Sequence, residues 1–418
     1  MKQKNIRYAQ KYFGNSIKNL VGIVIYFFCQ WLTTIIVIRI AGYTMSGEFS
    51  LVISFTNLFG FLSQYSIRNF QLSDADNEFL PRQYSGAYII TSGLAIALFL
   101  LALPFSGYDH NVIFSCFIYM LYKLCETFSF YALTYMQLEN KYSDIAISYS
   151  LKGIIPLIGF TLCLYYTQNL FQALCIMSLL YIAIIIFFDI KKTRFFFIQG
   201  VEVKGTGIIL KKCFPLMLAS LIFPFMLFLT RHSVEKVYGS TELGYYSAFT
   251  MVIVVFSTMA VAVFLVLVPI ISEKYLKRLK GDIVRIIITT LGIIFFVALI
   301  AILLARIIGN FIFSFVFGVE ILGYMYLLFP VIITSILLTV MMFFSTCLIA
   351  MKKRNSMLIG MLMGALLLSA IVMPVTKSDG LLGTTNIFSI SLCVIIIFYG
   401  VIIFKILYNL SSASTNNL

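Results

Sequence analysis

Lys123 and Glu126 stand three residues apart inside the apolar run 112–136, so one helix turn puts both on the same face. An isolated charge at the centre of a membrane helix costs about 2.5–3.5 kcal/mol on insertion scales. Mutual neutralisation recovers part of that cost and points both groups at a bundle interior or a wet cavity. Two roles are open to the pair. It is either an ion pair that fixes helix rotation, or a site where Lys123 contacts an anionic substrate while Glu126 holds the lysine or exchanges a proton. In the second role Glu126 is the candidate for coupling to a proton or sodium gradient.

Four further cations lie in or beside apolar runs. Lys152 sits one turn before Pro156; its stem either snorkels to an interface or brings the ammonium to the same lining as Lys123. Arg39 and Arg68 end the first and second apolar runs, where snorkelling alone accounts for them. Arg231 lies deeper in its run and is followed by His232, which favours a cavity role. Five cations against one acid make an electropositive interior, and low-dielectric walls strengthen its field for anionic cargo.

The elements that must position these groups follow from composition. The chain has 418 residues, of which 61% are hydrophobic and only 11% charged, with a mean hydropathy of +1.01. Soluble domains carry about 25% charged residues, so this is a polytopic membrane protein. Twelve apolar spans emerge: 17–38, 49–67, 85–104, 112–136, 145–166, 169–188, 213–235, 246–270, 284–305, 321–350, 356–376 and 382–404. Each is near or above the ~20 residues that cross a hydrocarbon core as a helix. With both termini cytoplasmic, inner segments hold 23 Lys/Arg and outer segments 5, as the positive-inside rule requires. The net charge of +14 is thereby a topology signal, not a nucleic-acid footprint. The expected organisation is an N-terminal six-helix lobe over 1–188, a cytoplasmic linker over 189–212 and a C-terminal six-helix lobe over 213–418.

A shift of 197 residues lays Gly42, Gly47, Phe49 and Ser50 over Gly239, Gly244, Tyr246 and Ser247, with Arg39 over Lys236. The shared G-x-x-x-x-G-x-[FY]-S turn argues for duplication of a six-helix unit, a transporter architecture. Pro215 and Pro224 mark the seventh span either as a broken helix where a pathway bends or, at least as often, as a static kink.

Enzyme chemistry finds little support. There is no phosphate loop and no H-E-x-x-H, and outer loops are too short for a catalytic domain. Eight cysteines without C-x-x-C spacing read as small core residues, so neither disulfides nor a metal site is expected. Asp74, Asp76 and Glu78, flanked by Arg68 and Arg82, read as a solvated loop face.

Three stretches carry a family likeness: Ile38-Arg39-Ile40-Ala41-Gly42, Gly47-Glu48-Phe49-Ser50 and Gln64-Tyr65-Ser66-Ile67-Arg68-Asn69. With Thr230-Arg231, Thr241-Glu242-Leu243-Gly244-Tyr245-Tyr246-Ser247 and Val268-Pro269-Ile270-Ile271-Ser272, the chain resembles Wzx-type polysaccharide flippases. These belong to the multidrug/oligosaccharidyl-lipid/polysaccharide exporter (MOP) superfamily. The resemblance implies a V-shaped, MATE-like, twelve-helix transporter in the bacterial cytoplasmic membrane. It implies movement of an undecaprenyl-diphosphate-linked oligosaccharide between leaflets by alternating access, for O-antigen, capsule or exopolysaccharide synthesis. A polysaccharide polymerase and a chain-length regulator are the partners expected beside membrane lipids. Cationic residues line the cavity in that family, and the resemblance implies such a role for Arg39, Arg68 and Arg231, whose positions suit it; Lys123 and Lys152 are added by depth alone. The competing readings are a multidrug or cation antiporter of the same superfamily, and a membrane polymerase or ligase acting on the same lipid-linked intermediates.

Overall fold

In a computed structural model, which describes residues 2–74, 78–193 and 200–415, the chain is all-helical. We number the α-helices α1 (Lys2–Gln64), α2 (Ile67–Ser73), α3 (Pro81–Ala102), α4 (His110–Leu138), α5 (Tyr142–Thr167), α6 (Leu170–Ile184), α7 (Thr206–Leu276), α8 (Lys280–Phe317), α9 (Leu328–Ala350) and α10 (Arg354–Thr415). A π-helical turn, Ile185–Ile190, prolongs α6, and a 3₁₀ stretch, Val319–Leu327, leads into α9.

Among the described residues nine stretches are long and apolar enough to cross a membrane, three of them 54, 56 and 57 residues long. Those three are too long for one crossing and each contains one glycine with positive φ: Gly42, Gly239 and Gly380. Contacts prove that the path reverses there. In α10 the Tyr399 hydroxyl donates to the Met357 carbonyl at 2.6 Å, whereas 42 residues of straight helix would span roughly 60 Å. Nearer the bend, the Thr376 and Thr384 hydroxyls meet at 2.9 Å. In α7, Tyr246 bonds Thr230 across Gly239. In α1 the evidence comes through α4: Tyr26 and Gln30 meet Glu126 and Tyr122, while Ser63 meets Thr127. The two arms of α1 therefore lie antiparallel at one level of α4. Nine apolar stretches, three of them hairpins, give the twelve crossings expected from hydropathy.

Gly42 (φ 80°, ψ −178°) and Gly239 (φ 83°, ψ 178°) have the same backbone conformation, one essentially closed to other residues. Around them Phe49 and Tyr246, and Ser50 and Ser247, are buried alike. The sequence repeat is thus a repeat of structure. Gly380, which lies outside that repeat, forms a third bend of the same kind.

The chain divides into two compact units, Met1–Leu221 and Ile222–Leu418. In the first, small residues let helices close on one another. A Cβ on Gly22 would stand 2.6 Å from the Ala146 Cα, and one on Gly153 would stand 3.1 Å from the Tyr26 Cα. The opening turns of α7 belong to this unit, where Ile209 and Cys213 join Ile67, Tyr84, Tyr131 and Tyr135 in a buried cluster. In the second, Gly360 and Gly364 accept Tyr399 and Ile395 along the α10 hairpin. All eight cysteines are free.

Two expectations need correction. The seventh span is not broken at Pro215 or Pro224; the backbone stays helical there and departs only at Gly239. The sixth span does not end at 188, because the π turn carries helical structure on to Thr193.

Candidate functional site

The interior of the first unit holds two lysine–carboxylate pairs joined through tyrosine. α4 contributes Lys123 and Glu126 one turn apart, and Lys123 Nζ donates to Glu126 Oε2 at 2.6 Å. The other carboxylate oxygen accepts from the Tyr26 hydroxyl on the first arm of α1. Gln30, one turn further along that arm, donates to the Tyr122 hydroxyl at 2.6 Å, and the Tyr26 and Tyr122 hydroxyls lie 3.4 Å apart. The lysine Nζ also stands 5.6 Å from the Tyr119 ring and 6.0 Å from the Tyr122 ring, where their π faces favour a cation. Glu126 is buried, while Lys123 keeps 13% of its side-chain surface. The depth argument for this pair therefore holds, and its hydroxyl partners are what the linear sequence left unseen.

Lys152 is not at an interface. Its side chain is 1% exposed and its ammonium donates to Asp189 Oδ2, to Ser129 Oγ and to Ser148 Oγ, the last at 2.7 Å. Asp189 is completely buried; Ser148 donates to its Oδ1 at 2.7 Å and Ser129 to its Oδ2 at 3.0 Å. The snorkelling reading fails because the stem runs inward to a carboxylate. Reading Asp189 as the first residue of a linker missed that partner, since the π turn holds it inside the helix bundle. An extra residue in a helical turn rotates the residues after it, which is how such a turn re-aims a side chain. Tyr181 bridges the two pairs: its ring lies 4.8 Å from that of Tyr122 and 5.8 Å from Lys152 Nζ.

The arginines are distributed otherwise. Arg68 is half-buried and donates to the Gln137 side chain at 3.2 Å and the Tyr149 hydroxyl at 3.4 Å. Tyr149 in turn packs 5.6 Å from Tyr26, which brings Arg68 to the margin of the Glu126 cluster. Arg39 is exposed, three residues before the Gly42 bend. Arg231, in the second unit, is half-buried with Nε sealed from solvent and without a hydrogen-bond partner. Its neighbour His232 stacks on Phe228 at 5.4 Å.

The acidic stretch before α3 is built into the fold. Asp74 accepts the backbone N–H groups of Glu78 and Phe79, and the Tyr84 hydroxyl at 2.7 Å. Partial burial would raise its carboxyl pKa, but Tyr84, those two N–H groups and the charge of Lys212 together hold it below the usual value. Glu78 pairs with Lys212 at 2.5 Å and Arg82 with Glu202. Asp76 lies outside the described residues.

No protein-family model matches the chain, and no curated protein matches it. Solved structures do. One is an inward-facing multidrug resistance MATE family transporter of the MOP superfamily: TM-score 0.70, 10% identity, covering 96% of this chain and 100% of that one. The MATE transporter VcmN of Vibrio cholerae, in a point-mutant form, gives 0.62 at 13% identity over 97% of both chains. The eukaryotic MATE transporter AtDTX14 gives 0.61 at 11% identity, covering 96% of this chain and 99% of its own. Likeness over nearly the whole of each chain at such low identity is likeness of architecture: this is a multi-pass membrane protein with the MATE fold.

Proposed function

We propose that the protein is an alternating-access transporter, not an enzyme, whose cargo is an undecaprenyl-diphosphate-linked oligosaccharide. It would serve O-antigen, capsule or exopolysaccharide synthesis at the bacterial cytoplasmic membrane, beside a polymerase and a chain-length regulator. The observation that carries this reading is how the interior charges are matched. Both fully or nearly buried carboxylates of the first unit, Glu126 and Asp189, have their own lysine. The sealed Nε of Arg231, by contrast, has no acceptor. Neither Glu126 nor Asp189 is left for a cationic drug. In the second unit Glu235 Oε2, one turn from Arg231, is sealed without a hydrogen bond as Arg231 Nε is, and a diphosphate would supply an acceptor to that Nε.

The cationic set changes accordingly. Arg39, Arg68 and Arg231 remain the groups offered to the diphosphate, with Lys123 able to contribute through its open edge. Lys152 has all three ammonium protons engaged and supports the lining instead of contacting cargo. The test is flipping of a fluorescent undecaprenyl-diphosphate oligosaccharide in proteoliposomes. Arg231→Ala should lose at least tenfold in rate with unchanged protein abundance, and a wild-type rate would remove the reading.

A second reading has one observation in its favour: two of the solved structures of this fold are described as multidrug resistance transporters. It requires that organic cations such as ethidium be expelled from loaded vesicles in exchange for a proton or sodium ion, with loss of exchange in Glu126→Gln.

A further inference from the structure

The surroundings of Lys152 go beyond what a salt bridge needs. A lysine–aspartate pair is complete with one carboxylate, yet the ammonium here is held by oxygens from three separate elements: Ser129 on α4, Ser148 on α5 and Asp189 on the π turn. Both hydroxyls bond the aspartate as well, so carboxylate and serines form one cross-braced set of oxygens, with the lysine nitrogen at its centre. Asp189 is 0% exposed and the lysine side chain 1%, and none of the four side chains has an unmatched buried polar atom. A carboxylate with neutral oxygens, closed to water and neutralised by one positive charge, is the chemistry of a site for a small hard cation.

We propose that Lys152 is a tethered cation. The cage of Asp189, Ser129 and Ser148 is a monovalent-cation site that the lysine fills in the native protein, and that a free sodium ion fills once the side chain is removed. The native cage is therefore deaf to the sodium gradient. The lysine carries the charge that a dissolved ion would otherwise bring, and does so without a binding equilibrium. Glu126 differs in kind. Its lysine comes from the same helix, one turn away, and keeps an open edge.

The test is thermal unfolding of the purified full-length protein in sodium chloride against choline chloride at equal ionic strength. A ligand that binds only the folded state raises Tm with its concentration. Lys152→Ala should gain about 2 °C or more in sodium over choline once sodium exceeds its Kd tenfold. Lys152→Ala with Asp189→Asn, which has no carboxylate to neutralise, should gain nothing, and neither should the wild type. An equal response of the single and double variants, or no sodium response in the single variant, overturns the proposal. If Lys152→Ala does not fold in choline, sodium in the growth and extraction media should restore folded protein. Failure in both salts while the double variant folds would show that no free ion replaces the lysine, and would also overturn it. One arm does not depend on these variants. A sodium-specific Tm shift in the wild type that disappears in Ser148→Ala would mean the native cage is open to ions, contrary to the proposal.

Discussion

Gly42 and Gly239, 197 residues apart, hold the same left-handed backbone, φ 80° with ψ −178° and φ 83° with ψ 178°. Nothing stands within 4 Å of where a Cβ would be placed on either one. A side chain there would meet no neighbour, so its whole cost is the strain of a conformation reserved for glycine, of order 1–3 kcal/mol. Gly42→Ala and Gly239→Ala should each destabilise by that amount, and by similar amounts. Gly292, within α8 and equally unobstructed, has no positive φ. Gly292→Ala should be neutral or slightly stabilising, as expected for alanine in a helix. Thermal unfolding in detergent of the three variants checks the contrast.

The Lys123–Glu126 pair separates structural from transport roles. Glu126→Gln leaves the ammonium buried without its counter-charge, a change that costs about 3 kcal/mol or more in buried pairs. Folded protein should fall, and Lys123→Met combined with Glu126→Leu should restore most of it. Measured by fluorescence-detected size exclusion, normal abundance of Glu126→Gln with transport abolished would assign the carboxylate to coupling instead.

Asp74 predicts an acid-side effect. Its folded-state pKa lies below the unfolded value, so its contribution to stability is present above the unfolded pKa of about 3.9 and is lost as pH falls through the lower folded value. Asp74→Asn should therefore be less stable than wild type at neutral pH, and the gap should begin to narrow as pH falls toward the unfolded value and vanish only below the folded one. A gap that stays constant down to the acid limit of folding would mean the carboxylate charge is not what anchors the turn before α3.

Gly86 tests the docking of the linker on α3. The Glu202 carbonyl would lie 2.2 Å from a Cβ on Gly86, and the Glu202 N–H donates to the Arg82 carbonyl at 3.0 Å. Backbone does not yield as a side-chain tip does, so Gly86→Ala should displace the segment around Glu202 at a cost of about 1–3 kcal/mol. Limited proteolysis should cut that segment faster, whereas Arg82→Ala, which removes a largely exposed ion pair, should change the rate little.

Hydropathy made the twelve crossings legible, because a bilayer imposes a length on every span whatever its neighbours are. The glycine repeat was legible for a related reason: a backbone conformation that only glycine tolerates leaves a residue-type mark at a fixed spacing. Gly380 does the same work without a matched partner, and a lone glycine among 25 carries no mark. The site was half legible. Depth and spacing on one helix identified Lys123 and Glu126, but Tyr26 lies 100 residues away and only packing brings its hydroxyl to the carboxylate. Asp189 was hidden more deeply. It comes after the apolar run at a place where sequence reads as the start of a charged linker, and the π turn that draws it inside has no signature in residue type.

The single-residue bends also bear on how the chain enters its membrane. A pair of crossings joined by one glycine presents no polar loop long enough to wait in water between the insertion of the first arm and the second. Within α10 the bond from Tyr399 to Met357 needs no other element, whereas the arms of α1 are tied together through α4. For α7 and α10 the arms bond one another across the bend, so a truncation that keeps one arm leaves behind a segment that has lost its own partner.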